Sequence, residues 1–250
     1  MKIGIVGGGI FGVTIANRLA KSHKVEIFEK NDDILKAASD VNQCRVHRGY
    51  HYPRSDTTTN EVLESEEDFI NEYKDAIMTN TENYYCISKF DSHVSSEEYV
   101  RFCKRHNLES TKINLDLVDK NSIDICLKVK EYLFDHEILK KKCWEKLNKS
   151  GVTVHLNTIA DDEIYEKYDF IIISTYANIN SLLKEYPEKQ HDYQFEIAEK
   201  IFLELPLEFK DKSVVIMDGP FMSIDPVGTK NYFIVGDVVN TVHSRNIGKF

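Results

Sequence analysis

Three regularly spaced glycines, Gly7, Gly9 and Gly12, follow a short apolar run at the start of the chain. In this G-x-G-x-x-G pattern the first glycine permits a tight turn, the second lets the backbone approach a pyrophosphate, and the third lets a helix pack closely on its strand. The N–H groups and positive dipole end of that helix favour an anion. Glu29 stands about 20 residues further on, where an acid accepts hydrogen bonds from a ribose 2′-hydroxyl and repels a 2′-phosphate. These residues predict a site for FAD or NAD, and the acid argues against NADP.

Cationic and aromatic side chains are concentrated between residues 45 and 54. They are Arg45, His47, Arg48, Tyr50, His51, Tyr52 and Arg54. Because the whole chain has a net charge of −9, this concentration indicates that the segment faces an anion, either cofactor phosphates or a substrate carboxylate that arginine binds in bidentate fashion. About half of these residues are expected instead to form surface ion pairs or packing contacts. Arg245, which follows a predicted strand, is interpreted as a further carboxylate partner or as an exposed turn residue.

Hydrophobic periodicity and turn residues predict the elements that must position these side chains. A strand at 2–6, a helix after the glycines and a strand at 25–29 form a βαβ unit. A loop at 37–55 precedes a helix over 59–79, a strand at 83–88, a helix starting at 95–98, a strand at 124–133, a helix from Asp135 to Leu147, and strands at 152–156 and 169–174. The last of these is expected to be fully buried. After Tyr193, strands at 194–205, 213–218 and 231–236, with turns at 218–220 and 227–229, predict an antiparallel meander in a second layer.

Composition limits the class of protein. The 250 residues are 42% hydrophobic and 29% charged, which is typical of a globular chain with one or two domains. The sequence contains no apolar run of about 20 residues, so no membrane helix is predicted. The N-terminus lacks a signal-peptide pattern. The negative charge disfavours nucleic acid as a partner. The five cysteines are scattered without metal-ligand spacing, so reduced thiols, no metal and a cytoplasmic location are expected.

The sequence IGIVGGGIFGVTIANRLA, followed by FEK and ASDVNQCRVHRGYHYPRS, resembles the D-amino-acid oxidase-like (DAO) family of FAD-dependent oxidoreductases. Segments at 131–135, 151–155 and 169–178 fall in the order of that family. The resemblance implies FAD as the cofactor and an α/β fold. A Rossmann-like FAD-binding domain is expected at 1–60 and 125–185, and a substrate domain with a mixed or antiparallel sheet at 61–124 and 186–250. Family members are longer, so the chain is expected to lack their C-terminal segment, which completes the flavin site.

The resemblance also assigns site residues, since the segment after the second strand lies against the flavin in this family. The cofactor contacts expected besides the three glycines and Glu29 are Ile10, Phe11, Lys30, Ser39, Asn42, Gln43, Arg45, His47, Val154, Thr175 and Tyr176. Ser39 is interpreted as a phosphate ligand rather than a helix cap. For Asn42 and Gln43 both a ribityl contact and a purely structural role stay open. Tyr176 occupies a position where the family usually has glycine. The residues expected on the substrate side are Arg48, Tyr50, His51, Arg54 and Arg245.

The reaction that this resemblance implies is oxidation of a C–N bond in a small amino acid or amine, by hydride transfer to flavin N5. Such a reaction needs little acid–base chemistry beyond keeping the amine neutral, so positioning of the substrate supplies most of the catalysis. One alternative is a flavin-dependent dehydrogenase or mutase acting on a sugar-type substrate. Another is a truncated, non-catalytic dinucleotide-binding remnant. Only an enzyme should hold flavin that a substrate bleaches.

Overall fold

The order of helices and strands begins with the predicted βαβ unit. In the computed structural model, which describes residues 1–228 and 231–249, the helices are α1 (Ile10–Leu19), α2 (Asp56–Tyr73), α3 (Ser96–Arg105), α4 (His136–Ser150) and α5 (Asp162–Tyr165). The strands are β1 (Lys2–Val6), β2 (Lys24–Phe28), β3 (Arg45–Val46), β4 (Ile77–Met78), β5 (Glu82–Ser88), β6 (Ser110–Ile113), β7 (Ile123–Val129), β8 (Tyr132–Phe134), β9 (Thr153–His155), β10 (Phe170–Ile173), β11 (Tyr193–Ala198), β12 (Ile201–Leu203), β13 (Lys212–Met217), β14 (Met222–Pro226), β15 (Phe233–Asp237) and β16 (Val242–Gly248).

The first of two compact units, unit 1, contains residues 1–42 and 140–197 and the segment from 244 onward. Its parallel sheet has the strand order β10-β1-β2-β9. Ile5 of β1 and Ile27 of β2 are fully buried, and α1 packs on these strands through Val13 and Ala16. A helix that connects two neighbouring parallel strands in this way confirms the predicted βαβ unit and the Rossmann-like α/β fold.

Unit 2 contains residues 43–139 and 198–243 and is built on a seven-stranded mixed sheet with the order β12-β15-β14-β13-β5-β7-β6. The pairing of β5 with β13 is parallel, and the other pairs are antiparallel. Tyr85 of β5 and Val215 of β13 lie in a buried cluster with Tyr99 and Phe102 of α3. The short strands β3, β8 and β4 form a separate antiparallel sheet. This mixed sheet confirms the prediction that the α/β fold contains a second sheet with mixed or antiparallel pairing.

Polar residues at helix ends account for several element boundaries. Ser95 and Glu98 form a capping box at the start of α3, in which each side chain accepts a hydrogen bond from the other residue's backbone N–H. Asp135 Oδ1 accepts from Ile138 N at 3.0 Å, which caps α4 as predicted. Gly151 follows that helix with a φ of +69°, a conformation that favours glycine.

Two predicted strands are each divided in the structure. The stretch 124–133 forms β7 and β8, which belong to different sheets, and 194–205 forms β11 and β12, which also separate. The predicted helix over 59–79 begins earlier, at Asp56, and ends at Tyr73, so that β4 follows within the predicted range. Apolar residues continue across both strand breaks, so periodicity alone does not reveal them. The apolar residues of β7 and Leu133 of β8 are buried, whereas β11 and β12 are largely exposed, with Ile197 at 68% and Phe202 at 53%.

The prediction that 169–174 is fully buried is wrong. β10 lies at the edge of its sheet, and Phe170 is 57% exposed. Five strands were not predicted: β3, β4, β6, β14 and β16. The turn expected at 227–229 lies partly outside the described residues, since Thr229 is not among them.

The compact units divide the chain at other residues than the predicted domains do. Residues 43–60 and 125–139 belong to unit 2, and 186–197 and the segment from 244 onward belong to unit 1. Assignment of cofactor and substrate binding to particular segments stays a prediction. In the described part of the chain no helix combines the length and apolar character needed to span a bilayer.

Candidate functional site

The glycine turn, residues 7–12, connects β1 to α1 in unit 1 and leaves no room for side chains at two positions. Gly7 has a φ of +106°, and a Cβ on it would lie 2.3 Å from the Ser174 carbonyl oxygen. A Cβ on Gly12 would lie 1.9 Å from the Gly7 carbonyl oxygen. Both distances are far below van der Waals contact, so the first and third glycines of the motif have the structural roles that the sequence predicts.

Gly9 differs, because a Cβ there would meet only Ser39 Oγ at 3.3 Å. Gly9 is the N-cap residue of α1 and supplies no side-chain cap. Ser39 Oγ accepts a hydrogen bond from Ile10 N at 3.1 Å, and the side chain of Phe11 is 75% exposed. The N-terminal end of α1 is thus open on the side of Gly9, which is the feature that a pyrophosphate requires.

Glu29 follows β2 and is buried beside the glycine turn. Its Oε2 accepts from Gly8 N at 2.7 Å, and its Oε1 accepts from the backbone and side-chain nitrogens of Asn31 at 2.9 and 2.7 Å. A carboxylate has about four acceptor positions, so it can accept further hydrogen bonds from a ribose. The neighbouring Lys30 is exposed.

Thr175 and Tyr176 follow β10, on the other side of the glycine turn. The Thr175 hydroxyl is buried without a hydrogen-bond partner, and its Cγ2 lies 3.5 Å from the point where a Cβ on Gly7 would stand. Tyr176 has a φ of +51° and is 80% exposed. The left-handed backbone explains why glycine is usual at this position in the family that the sequence resembles. Val154 is half-buried in β9, opposite Ile27.

These observations show that the residues fit the ADP half of FAD. An open helix N-terminus, a glycine turn without side chains, a fixed carboxylate and an orphaned hydroxyl lie together in unit 1. Asn42 Nδ2 donates to the Ala38 carbonyl at 3.1 Å within its own loop, and both the ribityl contact and the structural role stay predictions. The individual cofactor contacts stay predictions.

Arg45 is almost fully buried in unit 2 and is bound to two carboxylates. Its guanidinium lies 2.7 Å from Glu131 Oε2 and 2.5 Å from Asp225 Oδ1, and it also donates to Ser213 Oγ. Ser213 in turn donates to Asp225 Oδ1 at 2.7 Å. We call Arg45, Glu131 and Asp225 the buried charge cluster. Its formal charges sum to −1, so the guanidinium is more than neutralised by the protein itself.

Glu131 also fixes the segment that follows Arg45. Its Oε2 accepts from the Tyr85 hydroxyl at 2.7 Å, its Oε1 accepts from Arg48 N at 3.0 Å, and His47 Nδ1 lies 3.7 Å away. Burial alone would raise the pKa of Glu131, but His47, the positive charge of Arg45 and the Arg48 N–H together lower it to about 2. Glu131 is therefore a buried carboxylate that binds the Arg45 guanidinium and the Arg48 N–H, with the His47 ring beside it.

The residues expected on the substrate side have partners within the protein. Arg48 lies 3.6 Å from Glu66, Arg54 lies 2.5 Å from Asp218, and Arg245 in β16 lies 2.8 Å from Glu196. The buried Tyr50 hydroxyl donates to the Glu109 carbonyl at 2.6 Å. Their roles toward a substrate stay predictions.

His51 lies beside this network, with Nδ1 3.3 Å from the Tyr85 hydroxyl and its ring against Phe221 at 4.6 Å between centroids. Burial, together with the charges of His47 and Arg45, lowers the pKa of His51 to about 3. The structure thus brings His47, Arg48 and His51 together around Glu131 and Tyr85, whereas Arg54 and Arg245 bind other carboxylates.

Sequence reasoning missed Glu131 and Asp225. A signal existed for Asp225, which stands in an alternating apolar stretch, but β14 was not predicted. All five cysteines are buried and unbridged. Among the described residues no group of three or more His, Cys, Asp or Glu side chains could hold a metal ion.

Comparisons with known proteins indicate the family and the fold. The model of the DAO family, described as FAD dependent oxidoreductase, matches residues 2–164. The FAD-dependent monooxygenase kojA of Aspergillus flavus is 28% identical over 90% of this chain and 58% of its own length, and the FAD-dependent monooxygenase FPY4 of Fusarium mangiferae is 25% identical over 96% and 64%. The chain thus spans less than two thirds of the length of these curated relatives.

Solved structures with the same fold include glycine oxidase from Geobacillus kaustophilus, with a TM-score of 0.72 and 14% identity over 99% of this chain and 72% of that one. L-proline dehydrogenase from P. horikoshii has a TM-score of 0.69 and 14% identity over 98% and 70%. The glycine turn, the Rossmann-like unit and a family match over more than half of the residues lead to one conclusion: the chain belongs to the DAO family of FAD-dependent oxidoreductases.

Proposed function

We propose that the protein oxidises a C–N bond of a small amino acid or amine with FAD as its cofactor. The observation that carries the proposal is the open N-terminus of α1 at Gly9, beside the buried Glu29. When bound, FAD accepts the two electrons and the hydrogen that the substrate α-carbon loses. The folds of glycine oxidase and L-proline dehydrogenase support the choice of a nitrogen-bearing substrate.

The chain's own residues supply binding and positioning. Residues of the glycine turn and Glu29 hold the pyrophosphate and ribose. Glu131 fixes residues 45–48 through the Arg48 N–H and the Arg45 guanidinium. His51, whose pKa is lowered to about 3, stays neutral at physiological pH and adds no positive charge to this segment. Such a preorganised surface suits a reaction in which orientation supplies most of the rate.

A second candidate is insertion of one oxygen atom into the substrate. The printed names of both curated relatives, FAD-dependent monooxygenases, favour it. The two reactions differ in their products. An oxidase forms an imine, which water converts to a carbonyl compound and ammonia, and reduces oxygen to hydrogen peroxide. A monooxygenase incorporates one oxygen atom into the product and reduces the other to water.

The test begins with a visible absorption spectrum of the purified full chain, with FAD added if it is colourless. We expect a flavin spectrum that an amino acid or amine bleaches without oxygen, followed by release of ammonia and peroxide in air. Labelled oxygen in the organic product would support the monooxygenase instead. A chain that takes up no FAD would contradict both reactions and favour a remnant.

A control variant separates specific binding from general affinity for flavin. Gly9→Val places a side chain where the pyrophosphate is expected, whereas Gly151→Ala alters a glycine with no atom within 4 Å of its would-be Cβ. We expect the first variant to lose flavin and the second to retain it.

A further inference from the structure

The strand β12 forms one edge of the seven-stranded sheet of unit 2, and its side chains are exposed on both faces of that sheet. Ile201, Phe202 and Leu203 are all exposed. On its inner side β12 pairs with β15, whereas within the described residues no strand pairs with its outer side. An apolar edge strand of this kind offers a row of backbone N–H and C=O groups to another strand. The edge therefore has both the backbone groups and the apolar side chains that strand addition requires.

Phe202 stands between a cation and an anion on one face of the sheet, since side chains two residues apart in a strand share a face. Lys200 Nζ lies 2.9 Å from the point where a Cβ on Gly236 would stand, and Glu204 accepts a hydrogen bond from the Tyr232 hydroxyl. Gly236 and Tyr232 lie two residues to either side of the β15 residue that pairs with Phe202. These contacts place both charged side chains on the same face as Phe202.

Neither of the two charges has an ion-pair partner among the residues that the structure describes. No carboxylate lies within 4.0 Å of the Lys200 ammonium, and no basic group lies within that distance of the Glu204 carboxylate. Lys200 is half-buried and Glu204 is exposed. One unpaired charge of each sign, on either side of Phe202, suits an antiparallel partner strand in which each charge faces its opposite.

The sequence of this edge is complementary to itself in antiparallel order. Residues 200–204 read KIFLE. When two copies pair with Phe202 opposite Phe202, Lys200 stands opposite Glu204 of the partner subunit, and Ile201 stands opposite Leu203 of the partner subunit. Opposite charges and apolar side chains directly across an antiparallel pair stabilise it. A single register therefore gives every side chain of the edge a matching partner.

We propose that β12 pairs with β12 of a second copy of this chain, antiparallel and on a two-fold axis through Phe202. The two sheets of unit 2 then form one continuous sheet across the dimer. The contact is isologous, because the same residues lie on both sides of the axis. It is also small, since it is built on residues 200–204, whereas standard interfaces involve about 20–30 residues a side. We therefore expect a reversible dimer with a Kd no tighter than about 1 μM. The inference does not depend on the proposed function.

The test is sedimentation equilibrium of the full chain, with FAD present, over about 1–200 μM protein. We expect the average mass to rise with concentration from that of one chain toward that of two. Phe202→Lys sets two ammonium groups against each other on the axis and should weaken the dimer at least tenfold. Phe90→Lys is the matched control, because Phe90 is an exposed phenylalanine outside β12, and it should leave the Kd unchanged.

A charge exchange tests the register itself. Lys200→Glu and Glu204→Lys each place like charges opposite one another, so each variant alone should dimerise at least tenfold more weakly. An equimolar mixture of the two variants restores both opposite-charge pairs in a heterodimer, so its Kd should return to within about threefold of the parent value. Circular dichroism checks that each variant folds. If Lys200→Glu does not, Glu204→Lys is compared with Glu204→Gln, which removes the charge without reversing it and should weaken the dimer less.

The inference is overturned if the full chain stays monomeric over this range, which would leave the edge to a strand of different sequence. It is also overturned if Phe202→Lys dimerises as tightly as Phe90→Lys, because the interface would then lie elsewhere. A mixture of the charge variants that is no tighter than either variant alone would exclude this register, as would equal behaviour of Glu204→Lys and Glu204→Gln.

Discussion

Replacing Glu131 by glutamine removes one charge from the buried charge cluster and leaves its shape. Loss of one partner of a buried ion pair costs about 3–5 kcal/mol. Arg45 keeps Asp225 as a counter-ion in this variant, and the cluster becomes neutral rather than −1, so we expect about 3 kcal/mol, at the lower end. The lowering of the Glu131 pKa from its ordinary 4.5 to about 2 corresponds to roughly 3 kcal/mol at 1.36 kcal/mol per pH unit, which agrees.

The loss in unfolding free energy should depend on which charge of the cluster is removed. Arg45→Met leaves Glu131 and Asp225 buried without their common cation, so we expect about 5 kcal/mol or more. Glu109→Gln is the matched control, because Glu109 forms an exposed pair with Lys130 that contributes at most about 1 kcal/mol. Urea unfolding followed by circular dichroism measures all three free energies, provided that the slope m stays unchanged.

The pH dependence supplies an independent check. Since the pKa of Glu131 is lower in the folded state, its contribution is complete above about pH 4.5 and is lost as the pH falls toward 2. The difference in unfolding free energy between the parent chain and Glu131→Gln should therefore be constant near neutral pH and should disappear in that acidic range. A smaller cost for Arg45→Met than for Glu131→Gln, or a gap that widens in acid, would refute the account of the cluster.

The remaining predictions concern cofactor binding and acid stability. Gly9→Val should lower FAD affinity at least tenfold with little change in unfolding free energy. Gly12→Ala should instead destabilise the fold by about 3 kcal/mol, because its Cβ meets backbone atoms. Flavin titration and urea unfolding separate the two effects, and equal behaviour of the two variants would contradict the geometry. Glu29→Gln should weaken FAD binding by about 1.5 kcal/mol, measured by quenching of flavin fluorescence, and unchanged affinity would exclude the ribose contact. The parent chain should lose unfolding free energy as the pH falls from 6.5 to 3, about 2 kcal/mol by pH 5, because His51 binds a proton in the unfolded state but not in the folded state. His51→Gln should not show this loss. Identical pH profiles of the two chains would count against burial of His51 as the cause.

The βαβ unit could be predicted from sequence because its signals are local. Gly7, Gly12 and the apolar strands on either side lie within a short stretch, and the acid at Glu29 follows directly from the end of β2. Helix caps such as Ser95 and Asp135 are equally local, since donor and acceptor are separated by only three residues.

The buried charge cluster could not be predicted, because its members meet only after the sheet has formed. From the sequence, Arg45 is predicted to bind a cofactor or substrate anion. The two carboxylates that neutralise it are Glu131, between β7 and β8, and Asp225 of β14. The residue types indicate a cationic segment, but only the tertiary contacts show which of its cations form ion pairs with carboxylates of the protein.

The parallel pairing of β5 with β13 has a consequence for the synthesis of the chain on the ribosome. Tyr84 pairs with Val214, so the central ladder of the unit 2 sheet closes only after most of the chain has emerged. β5, β6 and β7 can pair earlier, but one edge of β5 then presents unpaired backbone groups beside aromatic side chains. A nascent chain in this state is a template for strand addition by its neighbours on the same messenger RNA. Its yield in a cell should therefore depend on chaperones that shield this edge until β13 arrives.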